Sequence, residues 1–214
     1  GKTFTVNKAL KDSGLQNASE MIGFASDDTL FEEQSRKLYT VVKGYSTAKG
    51  LYRTLYENRN RIVVFDDCDS VLKDPVALNL LKGALDSYDR RIISWNAESF
   101  NDDDLPRSFE FKGGVIFISN LPIFKVDQAI RSRAICVDLS MTTTQKIERM
   151  GAIIKTDEFL PDYAMDVKEL ALKFLSDMKD EAKELSLRTL ISVTKIASRG
   201  GDWKRRAEYL LTAV

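Results

Sequence analysis

Histidine is absent from these 214 residues, and cysteine occurs twice, at Cys68 and Cys136. A zinc site and a histidine-based catalytic triad therefore lack the residues to build them. Both cysteines lie in or beside strand-like segments, as expected for reduced thiols of an intracellular protein. Net charge is absent too: 32 Lys and Arg offset 32 Asp and Glu. No global field draws the chain to nucleic acid or membrane, and any such contact must come from a local patch. No apolar run approaches the roughly 18 residues of a membrane span, and no secretory signal opens the chain, so no membrane partner is expected. What is present is the profile of a globular protein, 43% hydrophobic and 30% charged, long enough for one large domain or a large and a small one.

The most informative stretch is "RIVVFDDCDS", Arg61 to Ser70. Ile62, Val63, Val64 and Phe65 form an apolar run without alternation, which predicts a strand buried on both faces. It ends on Asp66, Asp67 and Asp69, carboxylates that repel one another unless a cation or a hydrogen-bond network sits among them. Asp69 either joins that cluster or caps the following helix. "KLYTVVKG" predicts another strand ending at Gly44, and "GGVIFISN" a non-alternating strand ending on Asn120. "AICVDLS" (134–140) predicts a third buried strand. Between them, "TVNKALKDSG" has helical spacing with a stop at Gly14. "STAKGLYRTLYENRN" reads as a helix capped by Ser46 or Thr47, and Pro75 to Ser87 as a third helix. Residues 16 to 36 read as a loop with a short helix, and "DQAIRSRA" as a short helix or turn. "RRIISWNA" and "SFEFKG" flank a polar tip and read as a hairpin. After Leu139 helices alone are predicted, near 143–154, 161–178, 186–198 and 202–213. The expected class is α/β: a parallel sheet domain over 1–140, then a small helical domain over 141–214.

Gly1-Lys2-Thr3 running into a helix matches the tail of the phosphate-binding loop G-x-x-x-x-G-K-[ST]. In such a loop the lysine reaches the β- and γ-phosphates, the hydroxyl binds Mg²⁺, and the helix N-terminus adds its dipole. Asp66, at the end of the buried run, stands where the Mg²⁺-side carboxylate is needed, and Asp67 where the attacking water is polarised. With Asn120 after its strand, the pair Arg131 and Arg133 in "AIRSRA", and Arg188 in "LSLRTLISVTKIA", the chain resembles an AAA+ ATPase over residues 1 to about 200.

The resemblance implies a P-loop NTPase core with a helical lid, ATP and Mg²⁺ as cofactors, and ATP hydrolysis. It makes Asn120 the first sensor, Arg133 (or Arg131) the arginine finger acting on a neighbouring subunit, and Arg188 the second sensor. It further implies a homo-oligomeric ring, expected as a hexamer, acting on a macromolecule, DNA before protein. The hairpin resembles that of the pre-sensor branch of the family, and the wording of "ENRNRIVVFDDCDSVL" resembles AAA+ proteins of large tailed phages, which implies the bacterial host cytoplasm. Aspartate at 67 replaces the family's usual glutamate, which leaves a non-hydrolysing, nucleotide-dependent assembly module as the alternative. A small-molecule kinase would have no role for Asn120, Arg131, Arg133 or a helical domain. Lys43, Gly44 and Tyr45 stand where family translocases put a pore aromatic, although a tyrosine before a helix is also a common packing residue. The first five positions of the phosphate loop and the strand before it are not in the sequence. A chain beginning at Gly1 is expected to leave a gap in its sheet and to bind ATP poorly.

Overall fold

A strand with no polar position until its last residue needs an apolar layer on each side, and Ile62–Asp66 has both. The computed structural model describes residues 2–20, 36–44, 46–96 and 105–213. Its first compact unit, Gly1–Asp138, contains α1 (Lys2–Asp12), β1 (Gln16–Asn17), β2 (Leu38–Lys43), α2 (Ala48–Glu57) and β3 (Ile62–Asp66). It continues with α3 (Pro75–Ala84), β4 (Ile92–Ser94), β5 (Ser108–Glu110), β6 (Gly114–Ile118) and α4 (Gln128–Arg131). The strands β1-β2-β3-β6 form a parallel sheet in that order, and β4 pairs antiparallel with β5 in a separate two-stranded sheet. The gap expected in the sheet is not among the described strands: β3 is paired continuously to β2 on one side and to β6 on the other.

Alternate residues of β3 serve the two layers. Val63 and Phe65 pack with Leu51, Tyr52 and Leu55 of α2 and with Leu80, Leu81 and Ala84 of α3. Val64 packs on the opposite face with Leu10 of α1, Tyr39 of β2 and Ile118 of β6. Each fully buried side chain of this size contributes about 1.5–3 kcal/mol, so the apolar run is explained by two helical layers rather than one. The helix starts follow from local chemistry. Thr47 caps α2 by accepting from Gly50 N at 3.1 Å, and Asp74 caps α3 by accepting from Val76 N at 2.8 Å, with Pro75 in the first turn. Asp69 caps nothing, contrary to one of its two expected roles.

The close join between β3 and β6 depends on one glycine. Gly113 N donates to Arg59 O and Gly114 N to Arg61 O. A Cβ on Gly113 would lie 2.1 Å from the Arg61 carbonyl oxygen.

One predicted strand is not there. Residues 134–140 have no regular structure, and Ile135, Val137 and Leu139 are 97%, 71% and 56% exposed. Alternating apolar residues make a strand only where a neighbouring strand accepts them. Among the described residues β6 pairs with β3 alone, and no strand pairs with this segment.

The second unit, Leu139–Val214, is helical: α5 (Thr143–Ile153), α6 (Met165–Asp177), α7 (Leu187–Ala197) and α8 (Trp203–Thr212). Capping boxes at Thr142 with Gln145 and at Ser186 with Thr189 start α5 and α7. Its core gathers Met150, Ile154, Leu175, Leu190, Val193 and Trp203. No described helix in either unit is long and apolar enough to cross a membrane.

Candidate functional site

Parallel strands in register end together, so their carboxyl ends deliver side chains to one place. Here Lys43 of β2 stands beside Asp66 of β3, which stands beside Ile118 of β6. The residues that follow, Asp67 after β3 and Ser119 and Asn120 after β6, fall at the same edge. The start of α1 reaches this edge as well.

The contacts are specific. Thr3 Oγ1 donates to Asp66 Oδ1 at 2.8 Å. Lys2 Nζ donates to the Ser119 carbonyl oxygen and to Asn120 Oδ1. Asn120 Nδ2 donates to Asp67 Oδ1 at 2.9 Å, and Ser119 Oγ donates to Asp69 Oδ1 at 2.6 Å. Lys43 Nζ lies 3.3 Å from Asp66 Oδ2. Each of the three carboxylates thus has a donor of its own, and the like-charge cluster is held by a hydrogen-bond network with a lysine at its edge. Asp66 is buried and Asp67 exposed. A buried carboxylate stripped of such partners costs several kcal/mol, which makes the network a condition of the fold.

Asp67 is also where the backbone is strained. Its φ of 57° is left-handed, a conformation that costs a non-glycine residue about 1 kcal/mol, least for Asp and Asn. The turn is fixed by Asp67 N donating to Ile118 O at 3.0 Å. It aims the carboxylate away from the sheet and toward Asn120. Cys68, the next residue, is buried, and burial pushes its thiol pKa up, reinforced by the charges of Asp66, Asp67 and Asp69.

Among the described residues no group of three or more His, Cys, Asp or Glu side chains could hold a metal. Mg²⁺ does not need one, because it keeps several waters and takes one or two protein oxygens beside substrate phosphates. Thr3 Oγ1 and Asp66 Oδ1, adjacent at 2.8 Å, fit that mode. Lys2 fits an anion: its ammonium rests on two uncharged oxygens at the first turn of an 11-residue helix.

The other residues singled out in the sequence lie elsewhere. Arg131 ends α4, which Asp127 caps through Ala129 N and the buried Ile130 anchors. Arg133 follows, with Nη1 donating to Ala129 O at 3.0 Å, and both arginines are exposed. Arg188 is exposed in the first turn of α7, in the helical unit. Gly1, Tyr45 and the hairpin tip 97–104 lie outside the described residues. Ser119 escaped the sequence reading, and Lys43 entered it only as part of a pore loop. Their signal was position: both stand at carboxyl ends of strands that flank β3.

No protein-family model and no solved structure matches the chain. It is similar to an uncharacterized 36.7 kDa protein of Enterobacteria phage T4, from the nrdC-mobD intergenic region, with 31% identity over 89% of this chain. The chain spans 58% of that relative's length.

Proposed function

We propose that the chain is an ATP-binding and ATP-hydrolysing module of AAA+ type. The observation that carries the reading is the convergence of Lys2, Thr3, Asp66, Asp67 and Asn120 at the carboxyl edge of a parallel sheet. Lys2 and the α1 N-terminus would hold the β- and γ-phosphates, and Thr3 and Asp66 would hold Mg²⁺. Mg²⁺, when bound, neutralises charge on the phosphate oxygens. Asp67 orients a water toward the γ-phosphorus and takes its proton as the bond to the β–γ bridging oxygen breaks. Asn120 fixes Asp67 through its amide nitrogen and faces Lys2 through its amide oxygen, so one side chain joins the water-side and phosphate-side groups.

In this reading Arg133, exposed at the end of α4, supplies charge to a neighbouring copy's site in a ring, with Arg131 the second choice, and Arg188 serves as second sensor. Turnover would drive remodelling or translocation of a macromolecule, DNA first, and the T4 relative supports a phage setting. The reading requires a strand and Gly-rich loop ahead of Lys2, and calorimetry with ATP on this chain against an N-terminally extended one tests that. Equal, micromolar or tighter affinity in both would mean that the phosphates are held some other way.

A second reading, a nucleotide-dependent assembly module that does not hydrolyse, is favoured by one feature. Asp67 is short and already engaged by Asn120. Single-turnover hydrolysis by the full-length protein separates the two. In that protein Asp66→Asn is expected to abolish Mg²⁺-dependent hydrolysis while retaining part of the ATP binding, and wild-type turnover in the variant would remove the assignment.

A further inference from the structure

We propose that Lys43 is a built-in competitor of the divalent cation, seated on Asp66 when metal is absent and displaced when it binds. The inference rests on the nucleotide-site reading above and adds to it a residue which that reading does not use. The Asp66 carboxylate has two oxygens and both are taken: Oδ1 by the Thr3 hydroxyl at 2.8 Å and Oδ2 by the Lys43 ammonium at 3.3 Å. A cation approaching Asp66 with Thr3 therefore meets a positive charge already seated there. At short range two positive charges on one carboxylate repel strongly wherever solvent is partly excluded. The Asp66 side chain is 5% exposed, so screening there is weak.

The two partners are unequal in a way that suits exchange. Asp66 is fixed by burial and strand pairing, whereas the Lys43 side chain is 64% exposed and can swing into water at little cost. Parallel pairing puts Lys43 directly beside Asp66, with both side chains on the same face of the sheet. Immediately after Lys43 the strand ends at Gly44, whose φ of +87° turns the backbone, and among the described residues nothing lies within 4 Å of where its Cβ would stand. The lysine is thus placed by the sheet at its Cα, with most of its side chain open to solvent. The site is charge-compensated without metal, which keeps a buried aspartate tolerable in the empty state, and metal entry releases Lys43 to solvent.

The test uses Mn²⁺ alone as the probe, with loss of the free-ion electron paramagnetic resonance signal reporting binding to the full chain. Lys43→Met is expected to bind Mn²⁺ roughly two- to five-fold more tightly than wild type, the range of a partly screened ion pair. Lys43→Arg should stay near wild type. Lys2→Met removes an equal charge without vacating a carboxylate oxygen and should shift affinity less than Lys43→Met. Asp66→Asn should lose the binding. If Asp66→Asn loses Mn²⁺ while Lys43→Met binds no more tightly than wild type, the competition is overturned and the nucleotide-site reading stands. Equal tightening in Lys2→Met and Lys43→Met would reduce the effect to the general field and also overturn it. If no variant binds Mn²⁺ alone, there is no metal entry for Lys43 to oppose and the inference is overturned, while a role for Asp66 beside nucleotide phosphates stands. If Asp66→Asn binds as wild type, Asp66 is not the metal's ligand. The inference then falls together with the metal role on which it rests.

Discussion

Replacing Gly113 by alanine asks how much of the site depends on a single close approach. The added Cβ would lie 2.1 Å from the Arg61 carbonyl oxygen, against roughly 3.5 Å for comfortable non-bonded contact, so one backbone must retreat by over 1 Å. Three hydrogen bonds share that join: Lys112 N and Gly113 N to Arg59 O, both 2.8 Å, and Gly114 N to Arg61 O at 3.1 Å. Losing one or two at about 1 kcal/mol each, with about 1–3 kcal/mol of overpacking, predicts a loss of about 2–5 kcal/mol. The control is Gly83→Ala, the same change inside α3. There the new Cβ meets nothing closer than the Ile92 carbonyl oxygen at 3.6 Å, and helix propensity predicts a gain of about 0.5–1 kcal/mol. Because the two units can unfold separately, the probe must belong to one of them. Trp95 packs on Tyr52 in the sheet unit and Trp203 lies in the helical core. Urea melts followed by Trp95 fluorescence in a Trp203→Phe background therefore read the unit in question. A Gly113→Ala midpoint equal to that of Gly83→Ala would refute the close approach and with it the β3–β6 register.

Three further outcomes are expected. Asp67→Gly should be about 1 kcal/mol more stable than Asp67→Ala by denaturant melts, because glycine relieves the left-handed φ that alanine keeps, while both should lose single-turnover hydrolysis. In the full-length protein, Arg133→Ala should lower turnover by about 10³–10⁵ with single-subunit nucleotide affinity near wild type. Mixing it with Asp66→Asn subunits should restore activity at shared interfaces, and a dead mixture with Arg131→Ala behaving as predicted for Arg133 would transfer the role. A maleimide should label the exposed Cys136 quickly and the buried Cys68 only after unfolding, as read by mass spectrometry of the peptides.

The strands β2, β3 and β6 were legible because each carries an apolar run bounded by glycine or acid, and β3, the one buried along nearly its whole length, is the clearest of them. Asp66 and Thr3 were legible for a related reason: each stands at the junction of a recognisable motif and a regular element, and the structure brings them within 2.8 Å. Lys43 and Ser119 were not, since their partners are chosen by the register between strands, which no local pattern encodes. Asp69 shows a different failure. The cap of α3 was written locally as Asp74-Pro75, and Asp69 was free to meet Ser119 across the sheet. The segment 134–140 has the composition of a strand, yet composition supplies no neighbour.

The distances along the chain that the site spans bear on how it is assembled. Thr3 meets Asp66 across 63 positions and Lys2 meets Asn120 across 118, and parallel strands cannot be zipped from a tight turn. The helical unit is built instead from consecutive helices packed on one another. Folding rate falls as contacts become less local, so Trp203 should reach its native signal before Trp95 after dilution from denaturant. The Lys2 and Thr3 contacts, which close the longest loops, would be among the last to form. A chain refolding from denaturant would then hold a finished helical unit while Lys2 is still apart from Asn120 and Thr3 from Asp66.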